Sequence, residues 1–256
     1  MLPLTPPPPL EVRGEGVPTY NESSHNPLPR APRTAPAAFR IDVDLDQAVR
    51  EAERVHTWLA ALRIRHDLTR YEYTRLVRVV PASATYSHPI LTLGTRFTDT
   101  EDQLLATYLH EQMHWYLYEL GGHDHDPVAS FFDELVRRYP DAPTRLPEGA
   151  RNYEQTYVHL VVCWLELAVT AQFIGRARAF ALAETVYGYR WIYRTVVRDW
   201  DALEKLFTAH GILPIKTAPD LIRLNGARRR TPAKAPAPRS RRSRRRPPAR
   251  GGKSAG

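Results

Sequence analysis

The chain has 256 residues, 43% of them hydrophobic, and a formal net charge of +8. That is enough material for one sizeable core, with terminal appendages set apart by composition. The single cysteine, Cys163, excludes an intramolecular disulfide and fits a reducing compartment; the N-terminal region has no apolar run suited to a signal peptide, and no segment reads as an uninterrupted membrane span. The expected location is the cytoplasm.

Residues 1–38 are proline-rich, as in "LTPPPPL", and carry no apolar periodicity, which predicts a disordered arm. The last segment, 227–256, has twelve Lys and Arg and no acidic residue, so the rest of the chain has a net charge of −4. A basic tail of this kind is expected to be disordered and to contact nucleic acid non-specifically through counterion release. The folded domain is therefore placed at 39–226.

Within it, Val43, Leu45, Val49, Ala52, Val55, Trp58, Leu59 and Leu62 recur at helical spacing and predict a first amphipathic helix. The stretches "YEYTRLVRVV" and "HPILTLGTRF" read as strands, each closed by turn chemistry. Thr98 then opens "TDTE", a Thr-x-x-Glu capping box, and the helix that follows is expected to end at Gly121 and Gly122. Further helices are predicted at 127–139, 152–173 and 178–207, the last broken near Gly188. This order predicts an α+β fold with a small, mostly antiparallel sheet followed by a helical bundle.

The helix begun at "TDTE" contains "HEQMH". His110 and His114 are four residues apart, so on a helix both imidazoles face one side, a turn apart, where they can reach one ion. Glu111 stands beside the first, where a carboxylate can take a proton from water held at the metal and pass it to a leaving group. Zinc would also explain why ionisable groups sit among Leu105, Leu109, Met113 and Leu117, since unpaired polar groups in a core cost several kcal/mol.

On these residues the chain resembles the zincin metallopeptidases. The resemblance implies a zincin-like fold, Zn2+ as cofactor, His110 and His114 as ligands, Glu111 as general base, and a peptide or protein substrate. "HWYLYELGGH" does not match the metzincin extension. "TYVHLVVCWLE" and "YGYRWIYRTV" are also similar to bacterial His-Glu-x-x-His proteins of unassigned substrate, which suggests that Tyr189, Trp191 and Tyr193 line the site.

A catalytic zinc needs a third protein ligand, and three candidates stand. Glu166 lies in an apolar run with no basic residue between Arg151 and Arg176, so its carboxylate needs a cation; it resembles the later-helix glutamate of the gluzincins, although their Asn-Glu-x-x-x-Asp context is absent. His159 is seven residues earlier, roughly 10.5 Å along the same helix face. It is expected to assist catalysis by hydrogen-bonding the oxyanion, or to replace Glu166 as ligand. In "GGHDHDPVASFFDEL", which is similar to SprT-like metallopeptidases, His123 or His125 would complete the site. The leading expectation is a zinc metallopeptidase with Glu166 as third ligand. The alternative is a nucleic-acid-associated protein, either SprT-like or a binder acting through its tail with a structural or degenerate metal site.

Overall fold

The computed structural model describes residues 40–43, 50–81, 83–96, 98–121 and 131–228. The proline-rich arm, the loop histidines His123 and His125, and the basic tail beyond Arg228 lie outside them. The elements in order are β1 (Arg40–Val43), α1 (Arg50–Arg65), a 3-10 turn (Leu68–Tyr71), β2 (Leu76–Val80), β3 (Leu91–Gly94), α2 (Glu101–Gly121), α3 (Phe132–Arg138), α4 (Tyr153–Ile174), α5 (Arg176–Thr185), α6 (Arg190–Arg198), α7 (Trp200–Ala209) and α8 (Ala218–Arg228). The architecture is α+β and predominantly helical. Val43, expected on the first helix, belongs to β1, while Ala52, Val55, Leu59 and Leu62 form the buried face of α1.

The sheet corrects the expected strand sense. Its order is β1-β2-β3 and both pairs are parallel, with Ile41 opposite Val77 and Val77 opposite Leu91. Helix α1 lies between β1 and β2 in the chain, the usual solution for parallel neighbours. Only residues 81–90 separate β2 from β3, a length that favours a hairpin on sequence grounds. The chain instead turns back first: Tyr86 pairs antiparallel with Thr92, and the Gly94 amide donates to Thr85 Oγ1 at 3.0 Å. The returning segment lies so close that a Cβ on Gly94 would stand 2.0 Å from the Ser83 carbonyl oxygen, so only glycine fits there.

Helix α2 is buried nearly all round. On the sheet side, Gln112 is fully used: its Oε1 accepts from the Tyr73 and Thr74 amides at 2.9 and 3.1 Å, and its Nε2 donates to Thr74 O and Tyr108 Oη. Tyr108 donates to the buried Glu72, which also receives Arg63 through both carboxylate oxygens at 2.6 and 2.9 Å. These bonds tie α2 to α1 and to the lead-in of β2. At its far end, Tyr116 donates to Ile212 O, and Asn225 of α8 donates to Glu119. Helix α8 is an element that the periodicity analysis did not anticipate; it extends two residues into the segment assigned to the tail.

Helix α2 packs most extensively on α4, whose N-cap is Asn152, accepting from the Gln155 amide at 2.8 Å. The helix expected at 178–207 is broken at 186–189, around Gly188 as expected, and a second time at Asp199, giving three helices.

The capping box of α2 also lies two residues later than the motif suggests. Thr100 Oγ1 accepts from the Gln103 amide at 3.2 Å, and Gln103 Oε1 accepts from the Thr100 amide at 3.1 Å, the reciprocal pattern of a capping box. Thr98 donates to Thr95 O, and Glu101 pairs with Arg65. Thr100→Ala should therefore cost about 1 kcal/mol in urea denaturation. Glu101→Ala, which removes only a partly exposed ion pair, should cost less; the reverse ranking would return the cap to Thr98.

Candidate metal centre

The seam between α2 and α4 gathers the ionisable side chains. His110 and Glu111 from α2 and His159 and Glu166 from α4 are all buried, and His114 is half-buried. The donor atoms of His110, His114 and His159 lie within 4.8 Å of one another. Their ring centroids form a triangle with sides of 5.2, 5.5 and 5.0 Å. The i, i+4 spacing on α2 supplies two corners, and α4 supplies the third, about two turns beyond its N-cap Asn152.

Two of the three imidazoles have a fixed tautomer. His159 Nδ1 is 2.7 Å from Gln155 O; a carbonyl only accepts, so Nδ1 carries the proton and Nε2 keeps its lone pair. His110 Nδ1 is 3.1 Å from Glu166 Oε2, and Tyr193 Oη donates to the same oxygen at 2.5 Å. Glu166 thus receives two buried donors on one oxygen. A carboxylate that holds the Nδ1–H of a histidine orients the ring and raises the basicity of its other nitrogen.

Glu166 belongs to a second group, with His110 and Cys163, whose donor atoms also lie within 4.8 Å. The residues 159, 163 and 166 form one stripe of α4. Cys163 was singled out in the sequence only for its solitude; its i+4 spacing from His159 was the signal of its place. Of the three aromatic residues expected to line the site, Tyr189 lies tilted against His159 at 4.4 Å and stacked with His110 at 6.0 Å, and Tyr193 holds Glu166. Trp191 packs edge-on against Tyr139 at 5.9 Å.

Tyr189 has φ 58° and ψ 28°; among the described residues it is the one non-glycine residue in the left-handed region. For a bulky side chain this costs about 1–2 kcal/mol. The turn is held in place from outside: the Arg190 amide donates to Pro147 O at 2.9 Å and the Trp191 amide to Glu148 O at 3.0 Å.

The electrostatics follow largely from burial. Burial pushes the Glu111 carboxyl up to about 7; the charge of His110 opposes this shift and that of Glu166 adds to it. Burial, reinforced by the charge of His110, takes His159 down to about 3, and burial with the neighbouring histidines takes His114 well below its ordinary value. His110 goes the other way: burial lowers it, but its bonds to Cys163 and Glu166 outweigh that and raise it. The donor set fits a divalent transition metal, since three imidazoles leave a fourth position open and two have their outer nitrogens already hydrogen-bonded.

Comparison of the chain with protein-family models, with characterised proteins and with solved structures gives no match.

The raised Glu111 has a consequence for the metal-free protein. Between the unfolded value of 4.5 and about 7, the folded state holds a proton that the unfolded state has released, so this group makes stability fall as pH rises through that window. Glu111→Gln removes the contribution. In the presence of a chelator its melting temperature should match the parent's near pH 4.5 and exceed it progressively towards pH 8. A difference that stays constant with pH would show that Glu111 is not held protonated by burial.

Proposed function

We propose that this protein is a zinc-dependent hydrolase acting on peptide or amide bonds, a metallopeptidase in the first instance, with its metal held by His110, His114 and His159. The observation that carries the reading is the convergence of these three imidazoles within 4.8 Å beside the buried carboxylate of Glu111. Three-imidazole sets suit zinc, and leave a position open for reaction. A zinc ion bound there supplies a Lewis acid for the carbonyl oxygen and makes water acidic enough to react near neutral pH.

The remaining roles belong to the chain. Glu111 accepts a proton from the attacking water as its oxygen bonds to the carbonyl carbon, then delivers that proton to the nitrogen as the carbon–nitrogen bond breaks. No hydrogen bond from the described residues engages its carboxylate, which leaves it free for that exchange. His159 serves as the third ligand, oriented by Gln155 O. Glu166, the leading sequence candidate for ligand, instead holds His110 through Nδ1. The roughly 10.5 Å rise between residues seven apart on a helix is the reason one ion is not shared by both α4 groups. The buried free thiol of Cys163 fits the reducing cytoplasm, where we place the protein.

Metal analysis and chelator competition test this directly. Zinc should bind at one per chain; His110→Ala, His114→Ala and His159→Ala should each abolish stoichiometric binding. Glu166→Gln should keep the stoichiometry but weaken affinity by about 10–100-fold, the scale for outer partners of metal-bound histidines. If Glu166→Gln releases the metal and His159→Ala retains it, the ligand set is two histidines and a glutamate. Glu111→Gln should keep zinc while lowering hydrolysis of a mixed-sequence fluorogenic peptide pool at least ~10²-fold.

A further inference from the structure

The left-handed backbone at Tyr189 is a local cost with no local reason. Glycine precedes it in the sequence, so the chain had a permissive residue one position away, yet the positive φ falls on the tyrosine. Two backbone hydrogen bonds from the next two residues to the 147–148 segment hold the turn in this state. What the conformation achieves is placement: the Tyr189 ring lies on His159 at 4.4 Å and near-parallel to His110, with 6° between the planes. The ring is half-buried, and so borders both the cluster and solvent. Tyr193, four residues on and one turn into α6, has its hydroxyl committed to Glu166. Among the described residues, no hydrogen bond engages the Tyr189 hydroxyl. A phenol held over the histidine cluster by a strained turn, with its donor uncommitted, is suited to an oxygen that gains negative charge during reaction.

We propose that Tyr189 is a catalytic residue of this site, its hydroxyl donating a hydrogen bond to the carbonyl oxygen of the substrate as that oxygen becomes anionic. The assignment rests on the hydrolase reading above. It gives the open side of the cluster a direction: the scissile carbonyl enters from the 186–189 break between α5 and α6, with its oxygen towards Tyr189 and its carbon within reach of the water that Glu111 deprotonates.

The test is Tyr189→Phe in the full zinc-loaded chain, with three readouts. Turnover of the peptide pool should fall by about 10²–10³-fold with KM little changed, because the bond forms fully only in the transition state. Zinc stoichiometry and melting temperature should match the parent, since phenylalanine keeps the ring on His159. Binding of inorganic phosphate, a tetrahedral oxyanion, measured by calorimetry on the zinc-loaded protein, should weaken at least 10-fold, and this readout does not depend on turnover. A variant that binds phosphate and turns over peptide like the parent overturns the role of Tyr189 alone. Loss of zinc or of stability in Tyr189→Phe also overturns it, by making the hydroxyl structural. A parent chain that binds neither zinc nor phosphate defeats the hydrolase reading itself, and this proposal with it.

Discussion

Three imidazoles and two carboxylates share the seam between α2 and α4, and no lysine or arginine occurs on α4 between its ends or on α2 at all. In a medium of low dielectric each charge is expensive to keep and each unpaired donor or acceptor is expensive to bury. Burial disfavours charge on two of these groups, driving His159 down to about 3 and Glu111 up to about 7, while the bonds of His110 to Cys163 and Glu166 raise it. A divalent cation at the histidines would oppose the upward shift of Glu111, lowering the cost of its ionised form, and would favour neutral, lone-pair-bearing imidazoles still further. The surrounding structure holds these costly groups in place.

That holding is divided between the two sides of α2. One side faces α4 and carries His110, Glu111 and His114. The other carries Tyr108 and Gln112, locked to Glu72, Arg63 and the backbone at residues 73–74. Because Gln112 is saturated, α2 cannot rotate about its axis without breaking several buried hydrogen bonds at once, each a net contribution of about 1 kcal/mol and more if left unsatisfied. Helix α4 is fixed on its far side by Trp164, stacked 4.5 Å from Trp200. Rotation of either helix would separate His159 from the α2 pair, so packing remote from the histidines sets their geometry.

How much of this could be read from the sequence depends on the range of the interaction. The i, i+4 histidine pair and the buried carboxylate of Glu166 were legible because helical spacing and the absence of nearby cations are local properties. The cap of α2 was displaced by two residues because "TDTE" and "TEDQ" both satisfy the capping pattern, and only the hydrogen bonds of Thr100 and Gln103 choose between them. Strand sense was misread because ten intervening residues suit a hairpin, and nothing in residues 81–90 announces that the chain doubles back beside β3. The partners of Glu166 were not legible at all: His110 is 56 positions away and Tyr193 is 27, and pairing at that separation is decided by how α2 and α6 pack on α4.

The apolarity of α4 links these points. Its 22 residues are long and apolar enough to cross a membrane, but about two thirds of its most apolar stretch is buried inside the fold. It is the core helix, and it also carries half of the site. A helix this apolar makes each polar group on it costly, which argues against His159, Cys163 and Glu166 lying on one stripe as incidental substitutions. The same apolar surroundings bury His110, His159 and Glu166. Electrostatic terms gain strength there: the hold of Glu166 on His110 acts at a dielectric well below that of water. The hydrophobic core and the polar cluster therefore draw on one property of one helix, which raises the cost of the cluster's charged groups and the strength of their interactions together.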